Sequence, residues 1–97
     1  MSKRVTNHEV LRNFINGIKY YNGQHMSLSI RNYVLYSYET PIAVHADNAY
    51  DFIVNEMRYS PTTTKHQNAL TDELDRKLKT YYKTSVAGMM KHKKGNV

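Results

Sequence analysis

Residues 26–55 read MSLSIRNYVLYSYETPIAVHADNAYDFIVN, and the period of their apolar side chains decides the fold. Met26, Leu28 and Ile30 alternate with Ser27, Ser29 and Arg31, the pattern of a strand buried on one side. A break at Arg31-Asn32 leads into Tyr33 through Tyr38. There Tyr33 and Leu35 point one way and Val34, Tyr36 and Tyr38 the other, so both faces are at least partly covered. Thr40-Pro41 marks a turn, Ile42 to Ala46 a third strand, and Asp47-Asn48 a second turn. Tyr50, Phe52 and Val54 then alternate with Asp51, Ile53 and Asn55 in a fourth strand. Connections this short join antiparallel neighbours, which predicts a meander.

Helices flank this segment. The first is predicted over Val5 to Ile18, where Thr6 and Glu9 have capping-box spacing and Val5 is placed to pack on Val10. Val10, Leu11, Phe14, Ile15 and Ile18 share one face, and Gly17 supplies a stop. The last helix is expected from about Lys65 to Thr84, with His66, Leu70, Leu74, Leu78 and then Tyr81 or Tyr82 on one stripe. Asp72, Glu73 and Asp75 precede Lys77, Lys79 and Lys83, the order a helix macrodipole favours. Two amphipathic helices can cover one face of a sheet. The expected fold is an α+β two-layer sandwich: N-terminal helix, four-stranded antiparallel meander, C-terminal helix. It forms a single domain over 1–97 with a basic tail from about residue 88. The other sheet face is left open or covered by a partner, and an oligomer can form through it.

The 97 residues include no cysteine, no tryptophan and nine tyrosines. A chain of this length makes one domain with a modest core that needs neither metal nor disulfide. Without cysteine there is no disulfide framework, thiolate nucleophile or cysteine-based zinc site. No apolar run approaches the roughly 20 residues of a membrane span, and MSKRVTNHEV lacks the apolar stretch of a signal peptide. A soluble protein of the cytoplasm is expected, with no membrane partner. Fourteen Lys and Arg against eight Asp and Glu give a net charge of +6, a balance that favours polyanions. Lys3, Arg4, Lys91, Lys93 and Lys94 lie near the ends, and without them the body carries nine basic and eight acidic residues. Much of the basicity therefore reads as a flexible electrostatic arm. Tyrosines suit half-buried strands, with the ring packed and the hydroxyl wet. Tyr36, Tyr38 and Tyr59 are the candidates for base stacking or a partner surface.

Tyr59 to Leu70, YSPTTTKHQNAL, is the candidate site. Pro61 reads as the end of a strand, and Thr64 with Gln67 has the spacing of a reciprocal helix cap. A helix starting there presents backbone donors beside Thr62, Thr63, Thr64, Lys65 and His66, a combination that suits a phosphate or a carboxylate. The alternative is that these threonines only cap the helix. Lys91, Lys93 and Lys94 would extend the anion-binding surface.

No phosphate loop, dinucleotide fingerprint, HExxH, EF-hand loop or nucleophile elbow is present, so no cofactor is expected. His8, His25, His45, His66 and His92 show no metal-ligand spacing, and no metal site or catalytic residue is assigned. A metal-independent ribonuclease built on Tyr59, Thr63, Lys65 and His66 is the enzymatic alternative.

Tyr38, Thr40, Pro41, Ile42 and Ala43, followed by Tyr59, Ser60, Thr62, Thr63, Lys65, His66 and Gln67, form a Y-x-T-P-I-A strand and a Y-S-x-T-T-x-K-H-Q segment. The chain in this respect resembles a family of small uncharacterised bacteriophage proteins. That resemblance covers the central third and implies a phage genome and a host-cell cytoplasm, with no catalytic residues to carry over. The order α, β, β, β, α is also similar to the double-stranded RNA-binding domain, with Lys65 in the place of a phosphate-contacting lysine. The expected function is a non-enzymatic binding protein that engages nucleic acid or a nucleoprotein through the basic helix start. An anti-defence or host-takeover inhibitor acting on a host protein is the alternative of a different class.

Overall fold

In the computed structural model, residues 7–21 and 28–94 are described. The order is α1 (Asn7–Ile15), β1 (Leu28–Arg31), β2 (Val34–Ser37), β3 (Thr40–His45), β4 (Phe52–Asn55), α2 (Pro61–Arg76), β5 (Tyr81–Thr84) and α3 (Val86–Lys91). The fold is α+β, with an N-terminal helix, an antiparallel meander through β4 and a helix at the C-terminal end. To this the structure adds a fifth strand. The sheet order is β1-β2-β3-β4-β5, and β5 pairs with β4 in parallel, Phe52 opposite Tyr81 and Asn55 opposite Thr84. Parallel neighbours need a crossover, and α2 provides it. The likeness to the double-stranded RNA-binding domain does not extend to this β4-α2-β5 unit.

The alternation read from the sequence places the side chains. Leu28, Ile30, Leu35, Ile42, Phe52 and Val54 face one side and form a core with Val10, Leu11, Phe14 and Ile15 of α1 and with Leu70 and Leu74 of α2. Val34, Val44 and Ile53 face the other side and pack on Met89 of α3, with Tyr36 and Tyr82 at the margin. The face expected to be open or covered by a partner is therefore covered in part by a third, short layer of the chain itself. Met89 is fully buried there, so residues 86–94 are anchored to the sheet.

Several boundaries differ from expectation, and α1 for one ends at Ile15 rather than Ile18, ahead of Gly17 with its positive φ of 91°. The β2–β3 turn falls at Tyr38-Glu39, because Ser37 pairs with Thr40. Pro41 sits inside β3 opposite Tyr36, beside a register shift at Leu35/Tyr36 that accommodates its missing N–H. Helix α2 begins at Pro61 rather than Lys65, and its N-cap is Ser60, whose side chain accepts from Thr63 N. Proline suits the first helical position because its fixed φ is already helical and its absent donor has no partner there. The expected helix to Thr84 stops at Arg76, since Leu78 takes a positive φ of 57° and turns the chain out of the helix. Thr6 and Val5, the expected cap and staple of α1, lie outside the described residues, as do Met26 and Ser27.

Asp51 and Thr80 fasten the start of β4 to the start of β5. Thr80 donates through its backbone N–H and its hydroxyl to the Asp51 carboxylate, and Thr80 Oγ1 lies 2.9 Å from Asp51 N. The Thr80 carbonyl accepts from the backbone of Asp51 and Phe52. Those hydrogen bonds to the carboxylate, backbone first, hold the Asp51 acid below its ordinary range.

Candidate functional site

At the start of α2 two of the five expected anion-binding residues, Thr63 and His66, are engaged inside the protein. Thr63 is 3% exposed and His66 8% exposed, and both face Ser37 at the end of β2. Ser37 Oγ lies 2.7 Å from His66 Nδ1 and 3.2 Å from Thr63 Oγ1, and Ser60 Oγ donates to Thr63 Oγ1 at 3.2 Å. Burial pushes the His66 pKa down, so the ring is neutral near pH 7. Gln67, expected in the cap, instead donates to the carbonyls of Asn55 and Met57 and holds the loop after β4 against α2. The Ser-His-Thr chain thus joins sheet to helix. Thr62 and Lys65 are exposed and Thr64 is half-buried.

The ribonuclease grouping is not gathered around one point. Thr63 and His66 point inward, Lys65 points to solvent, and the Tyr59 hydroxyl accepts from Asn55 Nδ2 at 2.8 Å. The tyrosines also separate. Tyr38 lies against His66, with ring centroids 6.3 Å apart, and Tyr59 precedes the cap, whereas Tyr36 lies on the opposite sheet face.

The C-terminal lysines have three different environments. Lys91 is exposed at the end of α3. Lys93 is buried at 6% exposure and donates to the carbonyls of Asn32 and Lys94, so it secures the chain and is no part of a free basic arm. Lys94 N donates to the His45 carbonyl and Asp47 N to the His92 carbonyl, which carries the lysines past the end of β3.

There the chain gathers a cluster that the sequence pattern left unmarked. Arg31 and Val34 bracket a two-residue turn in which Asn32 and Tyr33 both have positive φ, 50° and 66°, as a type I′ hairpin turn requires. Asparagine tolerates this region, but a tyrosine there is strained and must be held by its surroundings. Tyr33 N donates to the Lys19 carbonyl, and the Tyr33 carbonyl accepts from His45 N. The Tyr33 ring meets His45 edge-on at 5.8 Å. Lys19 Nζ and Lys94 Nζ lie 5.7 Å and 5.4 Å from its centroid, and Lys19 also reaches the Tyr20 ring at 5.6 Å. The Arg31 guanidinium lies 4.0 Å from the Tyr36 centroid. It also contacts Glu39 at 3.3 Å, an exposed pair of small energetic weight.

His45 lies beneath this cluster. Its ring packs between Phe14 and Phe52, and Nε2 donates to the Phe14 carbonyl. Burial lowers its pKa, a shift the Phe14 hydrogen bond opposes and the Lys94 charge reinforces. His45 is thus neutral near pH 7, and the positive charge of the cluster resides on Lys19, Arg31 and Lys94. The adjacency of cation and tyrosine in Lys19-Tyr20 and in Arg31-Asn32-Tyr33 was the available signal. What joins them to Lys94 is long-range topology. Among the described residues, no group of three or more His, Asp or Glu stands where it could hold a metal ion, and no helix is long and apolar enough to cross a membrane.

Fold and surface define a small α+β domain bearing a cation–tyrosine face at one end of a five-stranded sheet. Residues 6–87 match a family of unknown function (DUF8033), and the chain belongs to that family. No curated protein and no solved structure matches the chain.

Proposed function

We propose that the protein is a non-enzymatic nucleic-acid-binding module that grips a single strand, free or within a nucleoprotein, through Lys19, Tyr20, Arg31, Tyr33, Tyr36 and Lys94. The observation that carries this reading is the set of cation–ring distances of 4.0–5.7 Å, which brings cations from three separate chain segments onto tyrosine rings. Cations neutralise phosphates, while aromatic faces and guanidinium planes stack on bases, so their interleaving suits an unpaired strand. Lys65 and Thr62, exposed at the start of α2, supply further polar surface but not the main contact. A phage origin, which the sequence resemblance implies, would put this activity in the host-cell cytoplasm.

Fluorescence anisotropy with labelled single-stranded RNA and DNA at low salt tests the reading. Binding should be detectable for at least one of them, and Tyr33→Ala and Lys94→Ala should each weaken it. No binding to either polymer would overturn the proposal.

A second reading, an inhibitor of a host protein, is supported by the exposure of Tyr38, Met57 and Tyr59 around the start of α2. Aromatic residues and methionine are enriched in protein interfaces. Capture of a host protein from nuclease-treated lysate, lost in a Tyr38→Ala/Tyr59→Ala variant, would favour this reading over the first.

A further inference from the structure

At the opposite end of the sheet lies a recess of about 160 Å³ between the flank of α2, β5 and the loop after β4. Glu56 and Arg58 reach it from the loop, Thr64, Asn68 and Thr71 from α2, and Lys83 from β5. Its α2 residues run along the side of the helix, and the helix N-terminus is closed separately by Ser60. The recess stands beyond the carboxyl ends of β4 and β5, the only parallel pair among the described strands. In open sheets with parallel strands that is where ligands collect.

We propose that this recess binds a phosphate monoester group. Arg58 and Lys83 come from different elements, and neither they nor Glu56 make an ion pair among the described residues. Two cations and one carboxylate therefore line one recess with no ion pair between them, and the lining carries a net positive charge. An arginine fork and a lysine ammonium are the side chains that hold phosphate oxygens most strongly. The Thr64 hydroxyl and the Asn68 amide add neutral donors at the same wall. Glu56 also has a place in this assignment, because a monoester near pH 7 is partly monoprotonated and its P–OH can donate to a carboxylate. The volume suits a phosphate group with a few waters and is below the roughly 300 Å³ at which pockets begin to enclose whole organic ligands.

The same chemistry is offered by inorganic phosphate and by the terminal phosphate of a nucleic acid. Amide spectra of the full chain titrated with inorganic phosphate should show saturable shifts at Thr64, Asn68 and Lys83. Arg58→Ala and Lys83→Ala change exposed side chains and should leave the remaining spectrum intact while weakening the shifts about tenfold, the scale of one lost charge-assisted contact. A 5′-phosphorylated oligonucleotide that binds more tightly than its 5′-hydroxyl counterpart, with the difference abolished in both variants, supports the site with the nucleic-acid terminus as its occupant. Equal oligonucleotide affinities with saturable phosphate binding support it for free phosphate. Unsaturated shifts, or shifts indifferent to Arg58→Ala and Lys83→Ala, would overturn it. Binding of the 5′-hydroxyl strand reports on the cation–tyrosine surface alone, which keeps failure of the two proposals distinguishable.

Discussion

Gly17 and Leu78 occupy the same position in the same helix-ending geometry. After α1, Gly17 N donates to the Phe14 carbonyl and Ile18 N to the Asn13 carbonyl; after α2, Leu78 N donates to Asp75 and Lys79 N to Leu74. Both residues have positive φ, 91° at Gly17 and 57° at Leu78, the mark of a Schellman ending. Only glycine adopts that conformation without a Cβ penalty. Leu78, at 89% exposure, gains little packing in return.

Leu78→Gly should therefore stabilise the protein by about 0.5–1 kcal/mol, the left-handed strain less the extra chain entropy of glycine. Urea unfolding should show a raised midpoint at unchanged slope. A lowered midpoint would mean that the leucine side chain stabilises the folded state through contacts absent from this geometry.

The hydrogen bond between Ser37 and His66 ties β2 to α2 across a buried boundary. Ser37→Ala removes it together with the contact to Thr63, and should cost about 1–2 kcal/mol. Lys65→Ala, one residue before His66 but exposed, should leave the unfolding midpoint almost unchanged. Equal effects of the two substitutions would contradict the inward orientation of the Ser-His-Thr chain.

Burial lowers the pKa of His45 and His66 in the folded state from an ordinary value of 6.5. The unfolded chain then binds more protons than the folded one as pH falls below that value. Their contribution to stability is full above pH 6.5 and is lost on acidification through the lowered folded values. Asp51, lowered from 3.8 chiefly by the Thr80 backbone, adds a second loss at still lower pH. Thermal unfolding should show a midpoint that falls between pH 7 and pH 5.5, with a smaller fall in His66→Gln. A rise on acidification would mean that these rings gain rather than lose protons on folding.

Met89→Ala should destabilise by about 2–4 kcal/mol, because it empties the contact between α3 and Val34, Val44 and Ile53. A change below about 0.5 kcal/mol, the usual size for an exposed site, would mean that the C-terminal segment is loosely attached.

The meander was legible because each strand carries its own period: Leu28 and Ile30, Val34 and Leu35, and Phe52 to Val54 each point where their alternation requires. The end of α2 was not legible, because the stripe from His66 through Leu74 runs on to Leu78 and Tyr81 at helical spacing and no glycine interrupts it. What turns Tyr81–Thr84 into a strand is its parallel partner β4 and the Asp51–Thr80 clamp, both long-range. At the candidate site, the inward direction of His66 was legible from its stripe with Leu70 and Leu74, whereas that of Thr63 was not. Helix α2 begins four residues earlier than expected, at Pro61, and that earlier start brings Thr63 onto the face that His66, Leu70 and Leu74 bury. Lys19, Tyr33 and Lys94 meet only because the turn after β1 and the chain after α3 close on the same end of the sheet, a relation no local pattern encodes.

The salt dependence of binding to an unlabelled single-stranded competitor, in wild type and in Lys19→Ala/Lys94→Ala, tests the central claim most directly. Each phosphate neutralised on a single strand contributes a slope of about 0.7 in log affinity against log salt, so removing two contacting lysines should reduce the slope by about 1.4. Lys65→Ala/Lys91→Ala, which removes two cations outside the tyrosine cluster, should change it by less. A slope unchanged in the first variant and reduced in the second would contradict the cation–tyrosine surface and return the contact to the start of α2.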